Sequence, residues 1–343
     1  MKIEQYPWLE PLWQKWQTQL AAERVSQAVL LIAPEGFGAE ALVEQWSRAV
    51  MCTHFADEAC GFCHSCQLMA SGNHPDYHVI RPEQAGKAIT VDQIRHCNRL
   101  AQESSQLSGY RLIVIEPADA MNEAAANALL KTLESSAERC LFLLVARQAR
   151  SLLPTVISRC QQWHITPPTA EQVSTWLAER TQGSASSSSS SKNKTSKAST
   201  TTLADIPHYV AYLNDYAPLT TQAFVEQGEL EQYQALETQF CATIGTAMFD
   251  PLGITQLLVV APLVRLRWVW LLLADAQKRH FGIVEAHTTP GSAPLMQHVS
   301  YDVLYRHART LSALMAQLHT HSGLNAELLI MNWLITFNED ACS

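Results

Sequence analysis

The chain has 343 residues, enough for roughly two or three domains, and its 47% hydrophobic content can fill real cores. A formal net charge of −8 argues against a protein that grips nucleic acid unaided, because non-specific binding needs a basic surface. The opening MKIEQYPWLE lacks the pattern of a signal peptide, and the most apolar run, Trp268 to Ala274, is flanked by charges and too short for a bilayer, so the expectation is a cytoplasmic protein with no membrane partner.

Pro11 opens a helix predicted to reach Val25, with Trp13, Trp16, Gln17 and Leu20 at helical spacing and packed on the first domain. Val29 to Ala33 is a continuous apolar run, which predicts a buried parallel strand. A Pro/Gly-rich turn and an amphipathic helix with Ala41, Leu42, Val43 and Trp46 follow, the strand–loop–helix layout of a phosphate-binding loop. The pattern G-x-x-x-x-G-K-[ST] places its first Gly on Ala33, its second on Gly38, its Lys on Ala39 and its Ser/Thr on Glu40. A helix N-terminus offers an anion only about half a charge. A carboxylate ~4 Å from phosphate costs on the order of 4 kcal/mol at an effective dielectric near 20. Gly36, Gly38, Ala39 and Glu40 therefore read as a degenerate loop with no functional ATP site.

Cys52, Cys60, Cys63 and Cys66 fall within fifteen residues. Four thiolates suit one closed, tetrahedral, structural zinc, whereas a catalytic zinc would need an open position. An iron–sulfur cluster fits the same spacing, and His54 and His64 compete as ligands. Cys97, Cys140, Cys160, Cys241 and Cys342 read as small apolar residues.

A second strand is predicted over Tyr77 to Ile80, and Thr90 with Gln93 forms a capping box before a helix carrying Val91, Ile94, Cys97 and Ala101. Leu112 to Ile115 is a third strand ending at Glu116-Pro117. A nucleotide-hydrolysing domain would have Asp-Glu there, so a carboxylate survives at the metal position while the water-activating one is proline. Asn122 caps the next helix, Leu141 to Val145 is a fourth strand, and Leu152 to Arg159 leads through Cys160 to a last strand, Gln161 to Ile165. This alternation predicts a parallel α/β sheet. Pro167-Pro168 punctuates a domain boundary. A helix from Glu171 to Arg180 then runs into a Ser/Thr/Lys-rich stretch expected to be disordered. The remainder reads as helical near 205–214, 219–227, 229–247, 252–281, 297–319 and 325–338, with Pro262 breaking the fourth of these.

The degenerate loop, the four cysteines, YPWL at 6–9, GNHPDY at 72–77, NALLKTLE at 127–134, Ser158-Arg159-Cys160 and GLNAELLIMNWL at 323–334 together resemble the bacterial clamp-loader AAA+ family of the DNA polymerase III holoenzyme. The resemblance covers nearly the whole chain. It implies an AAA+ core at 1–166 with a zinc module at 52–66, a helical lid at 167–228 with a disordered insertion at about 182–202, and a helical collar at 229–343. With both phosphate-loop and carboxylate chemistry lost, and no second sensor arginine in NDYAPLTTQAF, it implies a non-hydrolysing subunit that completes a hetero-pentameric ring with the gamma/tau motor subunits and delta. The sliding clamp and primer–template DNA are then met through the complex, a DNA-directed DNA polymerase assembly. In this family the arginine of Ser158-Arg159-Cys160 acts in trans as a finger in the neighbour's ATP site. Two other classes stand beside this reading: an active AAA+ ATPase, which Ala39 and Glu40 oppose, and a zinc-dependent nucleic-acid-binding module, which the acidic balance opposes.

Overall fold

A computed structural model of the protein describes residues 3–84, 86–107, 109–135, 139–185, 206–246, 248–321 and 323–342. Contacts divide the chain into two compact units, Met1–Pro167 and Pro168–Ser343.

In the first unit, 3-10 turns at Ile3–Gln5 and Pro7–Leu9 lead into α1 (Glu10–Ala21). There follow β1 (Ala28–Ile32), α2 (Ala39–Met51), α3 (His64–Ser71), β2 (Tyr77–Ile80), α4 (Val91–Gln102), β3 (Arg111–Ile115), α5 (Glu123–Glu134), β4 (Cys140–Ala146), α6 (Pro154–Ile157) and β5 (Gln161–His164). The five strands form one sheet in the order β2-β3-β4-β1-β5, and every pairing is parallel. β1, β3 and β4 are buried along their whole lengths, which is why they appear in sequence as unbroken apolar runs rather than alternations.

Local chemistry sets the helix starts. Thr90 and Gln93 make the reciprocal capping box of α4, and the Asn122 side chain accepts the Ala125 N–H at 2.8 Å to start α5. Trp16 of α1 stacks on Trp46 of α2 at 4.6 Å, and Trp163 of β5 meets Trp46 edge-on at 5.4 Å, so these tryptophans are core as expected. Cys97, Cys140 and Cys160 are buried as small apolar residues, whereas Cys342 is exposed and does not fit that reading.

The second unit is helical: α7 (Ala170–Ala185), α8 (His208–Leu213), α9 (Pro218–Glu226), α10 (Glu229–Thr243), α11 (Pro251–Val259), α12 (Pro262–His280), α13 (Ser292–His298), α14 (Tyr301–Thr320) and α15 (Ala326–Cys342). α7 packs against α8 and α9, while α12 packs against α13 and α14. Pro262 opens α12 and separates it from α11, the break expected within 252–281. The Ser-rich insertion expected at 182–202 lies from residue 186 onward outside the described residues, and its first four positions continue α7. Among the described residues, no helix is long and apolar enough to cross a membrane.

Candidate functional site

The sheet order inserts β1 between β4 and β5, so the connections from β1 run to opposite sides of it, a topological switch point. In open α/β sheets ligands bind outside the carboxyl ends of strands at such a point. A cleft of about 180 Å³ lies there, lined by Ala33 to Gly36 and Gly38 to Glu40 after β1, Glu116-Pro117 after β3, and Val145 to Arg147 at the end of β4. The degenerate loop and the degenerate carboxylate pair thus share one cavity. Its volume is below the ~300 Å³ at which small-molecule sites begin.

The N-terminal segment packs against the loop. Tyr6 is fully buried, and its ring lies 3.4 Å from where a Cβ on Gly38 would stand. The Trp8 indole donates to the Phe37 carbonyl at 2.9 Å. Gly38 has φ +74° and is the N-cap of α2, so a side chain here would be strained as well as crowded. The wall chemistry is acidic: Glu35, Glu40 and Glu116 line it against the single guanidinium of Arg147. Arg147 stands 3.9 Å from Glu35, and Glu116 is paired with Arg81 at 3.0 Å. The carboxylate expected at the metal position is therefore already engaged. Arg147 as a member of the cleft, and Tyr6 and Trp8 as residues packed on its loop, carried no signal, because they come from other parts of the chain.

The cysteine cluster sits between α2 and α3. The Sγ atoms of Cys52, Cys60, Cys63 and Cys66 all lie within 4.8 Å of one another, with Cys60 and Cys66 at 3.9 Å. A tetrahedron with Zn–S bonds of about 2.3 Å has sulfurs about 3.8 Å apart, so a small contraction would close the set on one metal. Cys63 is also the N-cap of α3, its sulfur accepting the Cys66 N–H at 3.4 Å, which places two ligands on one helix start. The helix was not anticipated, because its cap is a sulfur and His64 to Ser71 has little apolar periodicity. Burial raises the Cys52 thiol, but the N–H groups of Phe55, Cys60 and His54 outweigh it and bring the pKa below the usual thiol value. At Cys63 burial is likewise opposed, by the N–H groups of Thr53 and Cys66, and the thiol falls to about 5. Burial beside the other thiols pushes Cys66 up to about 12. Such N–H···S bonds favour the thiolate form that a metal needs.

A hydrogen-bonded chain fastens this module to the sheet. Ser65 donates to the Met51 carbonyl at the end of α2 and contacts His74 Nε2 at 2.8 Å. His74 Nδ1 accepts the Asp76 N–H at 3.2 Å, so its proton belongs on Nε2, facing Ser65. The Asp76 carboxylate accepts from the N–H groups of Gln106 and Leu107 and from Arg111 at 3.0 Å. Asp76 and Arg111 are 1% and 2% exposed, a fully buried ion pair. Asp76 belongs to the GNHPDY stretch, but its partner lies 35 residues away and carried no signal.

Ser158, Arg159 and Cys160 follow α6 and lead directly into β5, at the amino ends of the parallel strands. Cys160 is buried in the sheet core, where burial pushes its thiol up to about 11, and it anchors the turn. The Ser158 hydroxyl donates to the Thr155 carbonyl at 3.1 Å. Arg159 is 34% exposed and held at two points: Nη1 donates to the Thr155 carbonyl at 2.8 Å, and Nε to Glu134 at 2.5 Å. Among the described residues, Nη2 has no partner.

Residues 8–169 match the family model described as "DNA polymerase III, delta subunit", and residues 227–339 match "DNA polymerase III, delta subunit, C terminal". The chain is 31% identical to DNA polymerase III subunit delta′ of Escherichia coli, over 96% of this chain and 94% of that one. It is 30% identical to the same subunit of Haemophilus influenzae, over 96% and 95%. With that of Pseudomonas aeruginosa it shares 43% over 175 residues, about half of each chain (50% and 52%).

Proposed function

We propose a function from one premise: this chain belongs to the DNA polymerase III delta′ family. Our reading is a non-hydrolysing clamp-loader subunit, acting inside the cell, that completes a hetero-pentameric ring with gamma/tau and delta. It lends Arg159 to the ATP site of the motor subunit beside it and so supports loading of the sliding clamp on primed DNA. One observation carries this reading: a presented guanidinium coexists with a small, acidic cleft at the degenerate loop in the same domain. A domain with no phosphoryl chemistry of its own has use for such a fork next door, where planar N–H pairs meet phosphate oxygens bidentately. Within the second unit we assign residues 167–228 to the lid and 229–343 to the oligomerising collar, on the family resemblance.

The isolated chain is expected to show no ATP turnover, and Ala39→Lys alone should not create any. Glu40 still repels phosphate and Pro117 cannot position water. Steady-state hydrolysis by the purified variant checks this, and turnover at a motor subunit's rate would revive the active-ATPase class.

We assign Cys52, Cys60, Cys63 and Cys66 to one structural zinc, supported by the spacing of their sulfurs and the N–H donors around them. The metal would fix the 52–66 segment while the sheet keeps its own stability. Elemental analysis should give close to one zinc per chain, and Cys63→Ser should abolish most of it. Iron with visible absorption would point instead to a cluster. A metal content near zero in freshly purified protein would remove the assignment.

A further inference from the structure

We propose that Glu134 is the positioning residue of Arg159: the carboxylate at the end of α5 sets the direction in which the guanidinium leaves the domain. This rests on the trans-acting reading of Arg159 and adds to it a residue that reading does not require.

The local chemistry of α5 supplies the first reason. Glu134 is the last residue of the helix, where orphan carbonyls give a partial negative charge. A carboxylate there works against the helix dipole, and helix ends ordinarily favour cations. The departure from a local rule is compensated by Arg159, whose Nε donates to Glu134 Oε1 at 2.5 Å. Places where a sequence breaks a local preference are where function is to be looked for.

Geometry supplies the second reason. An arginine side chain has four rotatable torsions, and freezing it costs conformational entropy each time it must act. Glu134 holds the Nε edge and the Thr155 carbonyl holds Nη1, so the plane of the fork is fixed by elements from two different parts of the sheet domain. α5 and α6 pack against each other, which keeps these two anchors at constant separation. Among the described residues the Nη2 end is left unengaged. Glu134 and Arg159 are 53% and 34% exposed, so the pair adds little to stability as a surface ion pair, and its value lies in aim. A misplacement of about 1 Å in a group acting on a transition state costs on the order of a hundredfold.

The test is a reconstituted clamp-loader complex carrying Glu134→Ala, Glu134→Gln, Arg159→Ala or Glu134→Ala with Arg159→Ala, assayed for DNA- and clamp-stimulated ATP hydrolysis. Glu134→Ala is expected to lower kcat about fivefold to tenfold with the KM for ATP unchanged, because the fork acts on the transition state rather than on nucleotide binding. Glu134→Gln keeps an acceptor for Nε and should recover at least half of the lost rate. The double variant should be no slower than Arg159→Ala alone, since a positioning residue has nothing left to position. Glu134→Ala at the unmodified rate, beside a defective Arg159→Ala, overturns the role of Glu134 and leaves the trans-acting arginine standing. An additive loss in the double variant overturns it too. An unaffected Arg159→Ala removes the underlying reading instead.

Discussion

Arg159→Ala should lower DNA- and clamp-stimulated ATP hydrolysis by a reconstituted complex at least about tenfold, and clamp loading with it, while the subunit still folds and assembles. A trans-acting arginine is worth roughly 10³-fold or more at the site it serves. Folding should be untouched: the side chain is 34% exposed and its ion pair with Glu134 lies at the surface. Cys160, not Arg159, anchors the turn in the core. Lysine at 159 should rescue poorly, since a point charge cannot reproduce a planar fork or use Glu134 and the Thr155 carbonyl at once. Hydrolysis and clamp loading at the unmodified rate would refute the assignment and return Arg159 to the status of an ordinary surface residue.

The second large effect concerns stability. Asp76→Asn should destabilise the first unit by about 3–5 kcal/mol, the usual result of removing one charge from a buried pair. Arg111, 2% exposed, would keep its carbonyl acceptors Leu100, Glu103 and Ser104 but be left with the exposed Glu103 carboxylate at 3.3 Å as its one remaining opposite charge among the described residues. The expected drop in midpoint temperature is on the order of 10 °C. The sign with pH follows from the carboxyl itself. Burial raises its pKa, but the N–H groups of Gln106 and Leu107 and the Arg111 guanidinium more than reverse this, so the folded-state pKa is depressed. Its contribution is present in full above the unfolded carboxylate pKa, near 4 by the usual ~3.9 for aspartate, and is lost as pH falls through the lower folded value. Asparagine should therefore be most damaging at neutral pH and converge on the parent in acid. Thermal unfolding at a series of pH values checks both parts; equal midpoints at pH 7 would show that the pair is idle.

The strands were legible because burial on both faces writes itself as unbroken apolar runs: Leu112 to Ile115 and Leu141 to Val145 lie within β3 and β4. The break at Pro262 was legible because proline removes a donor and favours a helix start. The four cysteines declared themselves by spacing, and the sulfurs are indeed gathered. What stayed hidden was whatever depends on residues far apart in the chain. Arg111 at the start of a strand reads as a solvated charge until the fold brings it against Asp76. Tyr6 reads as an aromatic near a terminus until it is found over Gly38. Glu134 reads as the polar end of a helix, and its partner is 25 residues on. α3 was missed for a local reason, its signal being a thiol where a hydroxyl or carboxylate is usually sought.

Tyr6 packed on Gly38 has a consequence for descent. Suppose selection favoured a return to nucleotide hydrolysis. Lysine at 39 would stand among the carboxylates of Glu35, Glu40 and Glu116 beside a loop fixed by the Tyr6 ring on Gly38, a hydroxyl at 40 would have no magnesium to hold, and an acid at 117 would have no phosphate to serve. Displacing Tyr6 first would open a cavity beneath the fully buried ring and cost stability before anything was gained. Each step alone is neutral or harmful, so no ordered series of single substitutions leads uphill. On the non-hydrolysing reading proposed above, the packing acts as a ratchet: while the ring sits on the loop, changes that refine what this surface offers a neighbour stay open and a stepwise return to a phosphate site does not.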